Sequence, residues 1–388
     1  MSSAVERAAD AAARRARSTV DYLFVGRGAL QQFVIAVGLL TVLGLVGAAV
    51  FMPDSSAAAL VRVLTDSSTL AATLRLSVPI AFAALGGIFA EKSGVINIGL
   101  EGLLIISAFT GIYATDVTGS VWLGLLGGVL ASTALAGLFA VVCIEFKADQ
   151  IIAGLAVWLI ALGLAPFAAT VVYGGKTTDS VATLQTLPNM GIPWLSEFLV
   201  SPLPVVDTAL VDIPFFGALF DANPTVYLMF LAVALSWYTL RNTAFGKWVV
   251  ASGENPKALD TAGVNVHRVR YAAVLLSGVL SGIGGAALAL GIGQFTGSGP
   301  TMVNGKGFIA IVAYLFGNYN PVGAFLSTAL FAGLDATQLT LQARDVFQVP
   351  RPLVRTIPYV AVIVVLALFG RTRLPDAAGE HYESGEGE

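Results

Sequence analysis

Cysteine is almost absent: Cys143 is the only one in 388 residues. That excludes a disulfide scaffold and a cysteine-built metal centre. Cys143 sits inside an apolar run and is read as inert packing. The only histidines, His267 and His381, are too few and too far apart for a paired-histidine zinc motif. No metal-ligand cluster is expected. Charge is equally scarce: Asp, Glu, Lys and Arg make up 12% of the chain, about half the share usual in a soluble domain. A net charge of −3 excludes an electrostatic nucleic-acid binder. No GxxxxGK[ST] pattern occurs, so this chain carries no P-loop and any ATP with its Mg is bound by a partner. No cofactor is expected on this chain. Lysine is rarer than arginine, 6 against 15, which with an acidic tail is compatible with a salt-adapted organism.

What is plentiful is hydrocarbon. Hydrophobic residues reach 56% and the mean hydropathy is +0.81. The ordinary cause is several membrane-spanning helices, and a soluble enzyme is excluded. A span needs about 20 apolar residues. Ten runs qualify, at approximately Gln32–Phe51, Ser68–Ala90, Val95–Ala114, Ser120–Ile144, Gln150–Val172, Thr225–Leu240, Tyr271–Ile292, Gly307–Phe316, Val322–Leu341 and Thr356–Gly370. The third carries Glu101, and the eighth is too short to cross as a straight helix. The expected fold is an all-α polytopic membrane protein of about ten transmembrane helices.

Cationic residues orient it. With a cytoplasmic N-terminus and ten crossings, 14 Lys and Arg fall inside and 6 outside, with Arg75 within a span. The bias places both termini in the cytoplasm of a multi-pass plasma-membrane protein. Residues 1–31 then form a cytoplasmic tail, 32–370 the transmembrane domain and 371–388 an acidic cytoplasmic tail. The first apolar run is read as a retained span and not a secretory signal. Arg14-Arg15 lies too far upstream of it for a twin-arginine signal.

The chain also resembles itself. GLEGLLIISAF followed by GSVWLGLLGGVLASTALAGLF can be laid beside VNGKGFIAIVAYLFG followed by NPVGAFLSTALFAGL. Halves of five spans each must insert in opposite senses. The expectation is an inverted five-plus-five repeat, with the solute path near the repeat interface. The competing reading is shared Gly/Ala/Leu composition.

Three segments carry chemistry. Glu91-Lys92-Ser93-Gly94-Val95-Ile96-Asn97-Ile98-Gly99-Leu100-Glu101-Gly102 joins two apolar runs with three charges and three glycines. A charge within the bilayer costs about 2.5–3.5 kcal/mol on insertion scales, so it usually faces a partner or water. Asn97 and Glu101, four apart, would share one helix face. Glu91, Asn97 and Glu101 are therefore candidates for the translocation path, against the plainer reading of a cytoplasmic turn with Glu101 paired to a neighbour. Residues 293–307 hold five glycines in fifteen and cannot form a stable helix. There Gln294, Ser298 and Asn304 could bind a hydroxylated ligand, though a plain surface loop accounts for them equally. Gln294 and Asn304 join the path candidates. In the third segment Asn255 can cap a helix beginning at Pro256, and Gly263 suits its stop. Two turns of helix do not persist alone in water, so Gly253, Glu254, Asn255, Pro256, Lys257, Asp260 and Gly263 are expected to be held by the spans or by a partner protein.

Two long segments flank these. Residues 173–224 hold six of the sixteen prolines with apolar pieces between them. They are expected to pack back on the extracytoplasmic face. Residues 241–270 are the long cytoplasmic segment.

Together and in this order, EKSGVINIGLEG, GENPKALDTAGVNV and IP-FFGALFDANPTVYL resemble the permease subunits of ABC importers for nucleosides and simple sugars. These are relatives of the ribose and branched-chain amino acid permeases. The resemblance covers about residues 70 to 370 and leaves out both tails. It implies a heterodimer with a second permease, a separate ABC ATPase, a substrate-binding lipoprotein outside, and 241–270 as the coupling loop. It does not choose between nucleoside and sugar. The rival from another class is a proton-coupled secondary transporter using Glu91 or Glu101. A non-transporting scaffold is disfavoured by the polar residues within spans.

Overall fold

Among the described residues, several polar residues at run boundaries cap helices. Asp66 accepts the amide of Ser68, Asp149 those of Ile151 and Ile152, and Asn265 that of Arg268. Left-handed Gly119, Gly174 and Gly293 close helix ends. The computed structural model describes residues 55–185, 222–343 and 373–383, with short pieces at 43–44, 47–48, 51–52 and 218–219. In chain order the helices are α1 Ser56–Thr65, α2 Ser67–Lys92, α3 Leu100–Thr118, α4 Val121–Ala140 and α5 Gln150–Tyr173. A π-helical stretch, Val141–Glu145, prolongs α4. Then follow α6 Pro224–Asn242, α7 Ala244–Glu254, α8 Pro256–Thr261, α9 Val266–Ile292, α10 Lys306–Phe316 and α11 Pro321–Ala343.

Six of these are long and apolar enough to cross a membrane: α2, α3, α4 with its π extension, α5, α9 and α11. Six of the expected ten runs thus qualify among the described residues. The runs Gln32–Phe51 and Thr356–Gly370 lie largely or wholly outside them. Pro224–Asn242 is a 19-residue helix that is not among the six, and Lys306–Phe316 has only 11 residues. The third run starts as helix at Leu100 and not Val95, because residues 95–97 take no regular secondary structure and the chain turns at 98–99 before α3.

Burial sorts the six into layers. In α2, α3 and α9, 78%, 72% and 72% of the apolar window is buried, against 28% and 33% in α4 and α5. A helix apolar all round is either central or lipid-facing. The first three form the centre, while Leu126 and Leu130 of α4 and Ile152 and Phe167 of α5 turn outward. Close approach needs small residues: a β-carbon on Gly282 of α9 would stand 2.7 Å from the backbone of Val129 on α4.

Side-chain bonds define two ends of the bundle. At one, Tyr173 donates to Asp116 at 3.0 Å. There the start of the proline-rich segment also lies back on the end of α9, with Thr178 N on Phe295 O at 3.0 Å and Val181 N on Gly293 O at 2.8 Å. Its middle, 186–217, lies outside the described residues. At the other end are the α2–α3 turn, α7, α8 and residues 373–383.

Candidate functional site

Helix α10 is a half-length crossing tied at both ends by a glutamate. At its start, Glu101 in the first turn of α3 accepts the amides of Gly305 at 2.7 Å and Gly307 at 2.6 Å. At its finish, Glu91 near the end of α2 accepts the phenols of Tyr314 and Tyr319, the latter at 2.7 Å. Eleven residues of helix rise about 16 Å, so the two carboxylates stand on different levels. Residues 300–305 descend from one end of the bundle to meet α10 in the interior. Residues 94–99 climb from the other end to meet α3 at the same level. Two helix N-termini, each the positive end of its dipole, thus face one buried carboxylate. Such irregular backbone within a bundle survives because its amides have partners: Ile96 N donates to the Gln150 side chain at 2.6 Å and Gly99 N to Asn97 at 3.1 Å. Asn97 in turn donates to Ser277 of α9 at 3.1 Å.

Two clefts flank this junction. One, of about 420 Å³, is lined by Glu101, Trp158, Leu162, Asn304, Phe308 and Val312 among others. Trp158 and Phe308 stand edge to face there, centroids 5.3 Å apart. The second, of about 510 Å³, lies between α2, α10 and α11 and is richer in polar groups. Asn304 and Ile309 line both.

At the far end of α2 the segment 253–263 is assembled. Asn255 accepts the amide of Ala258 at 3.0 Å, capping α8, and Gly263 takes φ +81 after it. Gly253 lets α7 touch α2: a β-carbon would stand 2.9 Å from the Lys92 carbonyl carbon. Ser252 donates to Ser93 O at 2.8 Å. Residues 373–383 are laid across this assembly like a strap. Ala377 N donates to Gly253 O at 2.8 Å and Gly379 N to Gly94 O at 3.0 Å. Arg270 donates to Glu380 O at 2.7 Å and Tyr382 to Asp260 at 2.7 Å, while Glu383 pairs with Lys147. Burial, and then the Asp260 carboxylate, hold the Tyr382 phenol above its ordinary value.

A family model described as branched-chain amino acid transport system / permease component matches residues 69–368. The chain belongs to this family. The permease is 36% identical over 328 residues to the guanosine ABC transporter permease protein of Bacillus subtilis, covering 81% of this chain and 96% of that protein. It is 35% identical over 318 residues to the nucleoside ABC transporter permease protein of Lactococcus lactis, covering 79% and 93%. It is 33% identical over 314 residues to a putative glucose ABC transporter permease protein of Haloferax volcanii, covering 76% and 89%. No solved structure matches it. The permease is thus the membrane-spanning subunit of an ABC transporter, a multi-pass transport component and not an enzyme. These relatives support the ATP-driven reading and not the proton-coupled one.

The path candidates fall into two groups in the permease. Glu101 and Asn304 line clefts. Glu91, Asn97 and Gln294 are bonded internally, Gln294 donating to Thr178 O at 2.8 Å. Asn97 does not share a helix face with Glu101, since α3 begins after it. Lys306 is buried, 8% exposed, at the start of α10. Tyr314, Tyr319, Asp335, Gln338 and Tyr382 escaped sequence reasoning. Asp335 and Gln338 carried a signal, being polar residues three apart in an apolar run. The tyrosines carried none, because an aromatic in a span reads as packing.

Proposed function

We propose that the permease carries a nucleoside across the plasma membrane as one half of an ATP-driven importer. An extracytoplasmic lipoprotein delivers the solute, a second permease completes the path, and a separate ATPase grips the coupling segment. The observation that carries this reading is the junction at Glu101. There two interrupted crossings meet head to head beside a polar cleft and an aromatic cleft, which together suit a flat base joined to a hydroxylated ring. The relatives named for guanosine and nucleosides support that solute over a simple sugar. Glu101 and Asn304 border the path, and Glu91, Asn97 and Gln294 hold its walls. The opposite running sense of α3 and α10 from the junction supports an inverted repeat of five plus five spans, with both termini cytoplasmic.

Gly253, Glu254, Asn255, Pro256, Lys257, Asp260 and Gly263 form the ATPase coupling element. A short helix fixed at its cap transmits displacement that a loose loop would absorb in bending. Because α7 touches the end of α2, motion there reaches Glu91 and, through α10, the junction.

Reconstitution of the permease with its partners in proteoliposomes tests the reading. Guanosine should accumulate only with hydrolysable ATP and binding protein. Uptake by this chain alone, driven by a proton gradient, would overturn it.

A further inference from the structure

We infer that the polar cleft between α2, α10 and α11 is the site that recognises vicinal hydroxyls of the solute, with Asp335 and Gln338 as specificity residues. The inference rests on the nucleoside reading above and deepens it. Helix α11 is apolar enough to cross a membrane, yet it carries a carboxylate and two amides at positions 335, 338 and 342. That spacing puts all three on one face, and all three line the same cleft. Polar side chains within a span are costly and normally engage a partner, a cavity or a solute. Here the partners are lacking. Gln338 is 7% exposed and makes no hydrogen bond among the described residues, and neither does Asp335. The buried Nε2 of Gln342 is likewise unpaired there.

The opposite wall supplies Asn304 and Lys306. Asp335 and Lys306 bring opposite charges to the cleft, so an uncharged solute suits it better than an ion. A carboxylate accepts from two adjacent hydroxyls through its two oxygens, and the amides both donate and accept. The volume of about 510 Å³ lies in the range of small-molecule sites. The shared residue Asn304 puts the aromatic cleft next door, where Trp158 and Phe308 offer a surface for a flat ring. A ribonucleoside presents both parts; its 2′-deoxy form lacks half of the diol.

The test reads occupancy directly, independent of what the binding protein selects. In the assembled complex carrying Cys143→Ser, Leu339→Cys places a thiol on the same cleft, and its alkylation by a hydrophilic maleimide is timed. Guanosine should slow alkylation, 2′-deoxyguanosine should need about tenfold more for the same protection, and Asp335→Asn or Gln338→Leu should remove the difference. Complex abundance, measured in parallel, separates this from misfolding. An unreactive thiol, or protection equal for both nucleosides, overturns the recognition site. Failure of every solute to protect overturns it too, and leaves the importer reading standing. Protection by glucose and not by guanosine keeps the cleft and overturns the nucleoside reading.

Discussion

Gly307 donates its amide to Glu101 across 206 residues of chain, at 2.6 Å, and its α-carbon lies so close that no side chain fits. A β-carbon there would stand 2.5 Å from the Glu101 α-carbon. Gly305, two residues earlier, differs: it takes φ +82 with open space around it. Gly307→Ala must push α10 off α3 and should cost about 1–3 kcal/mol. Gly305→Ala strains only its own backbone, about 1–2 kcal/mol. Thermal denaturation of the purified complex should rank Gly307→Ala as the less stable. The reverse order would mean that the junction is looser than described.

Asn97 and Glu101 should part company when each is replaced by leucine. Asn97 is bonded on both sides and lines neither cleft, so uptake by Asn97→Leu should fall in step with assembled complex. Glu101→Leu strands two amides, at about 1–3 kcal/mol each, and also changes the wall of the aromatic cleft. Its uptake should fall below its complex abundance. Quantifying both in the same membranes decides the matter; matched losses for Glu101→Leu would reduce it to a structural residue.

Glu91 is held by two phenols, which gives it a structural reason to be where it is. Glu91→Gln keeps an acceptor for one of them and should retain part of the uptake, at a stability cost of about 1–3 kcal/mol. That residual uptake should be indifferent to a protonophore. Sensitivity of the unaltered permease to the protonophore, lost in Glu91→Gln, would revive proton coupling through this carboxylate.

Gly263→Pro and deletion of residues 373–388 should both leave membrane insertion intact while lowering ligand-stimulated ATP hydrolysis. Proline fixes φ near −65°, opposite in sign to the +81 at Gly263. Deleting the tail removes the strap from Gly253, Gly94, Arg270 and Asp260. Tyr382→Phe should show a weaker form of the same defect. Because the folded state raises the Tyr382 phenol, its contribution is complete below the ordinary tyrosine value of about 10 and is lost as pH rises through the folded value. Stimulated hydrolysis should therefore be insensitive to this group at neutral pH. Subunit stoichiometry measured beside hydrolysis separates failed docking from uncoupling. Normal values in Gly263→Pro and the deletion would show that this face does not transmit ATPase motion.

Orientation has its own test. In a Cys143→Ser background, Gln185→Cys should react with an impermeant thiol reagent in intact cells, and Ala258→Cys only after lysis. Labelling at 258 in intact cells would invert the topology and remove the coupling face from the ATPase.

Much of this molecule is written along the chain. The apolar run from Ser68 to Ala90 can be little other than a spanning helix, since its length, with Arg75 as its one charge, leaves no soluble alternative. Asn255-Pro256 and Gly263 bracket α8 because capping, proline at the first turn and a left-handed stop are local effects. The broken segments at 94–99 and 293–305 were visible as glycine and polar residues within hydrocarbon. Their partners were not. That Glu101 meets Gly305 and Gly307, and Glu91 meets Tyr314 and Tyr319, depends on how α2, α3 and α10 pack, and periodicity within one helix holds no record of its neighbour. Asn97 and Glu101 looked like one helix face because spacing presumes helix, whereas the side chain of Asn97 turns the backbone at Gly99 instead. The tail beyond residue 372 read only as acid. Its role as a strap exists because Gly94, Gly253, Asp260 and Arg270, far apart in sequence, converge on one surface when the bundle closes. A buried amide or carboxylate needs a partner from somewhere, and only the tertiary structure decides which.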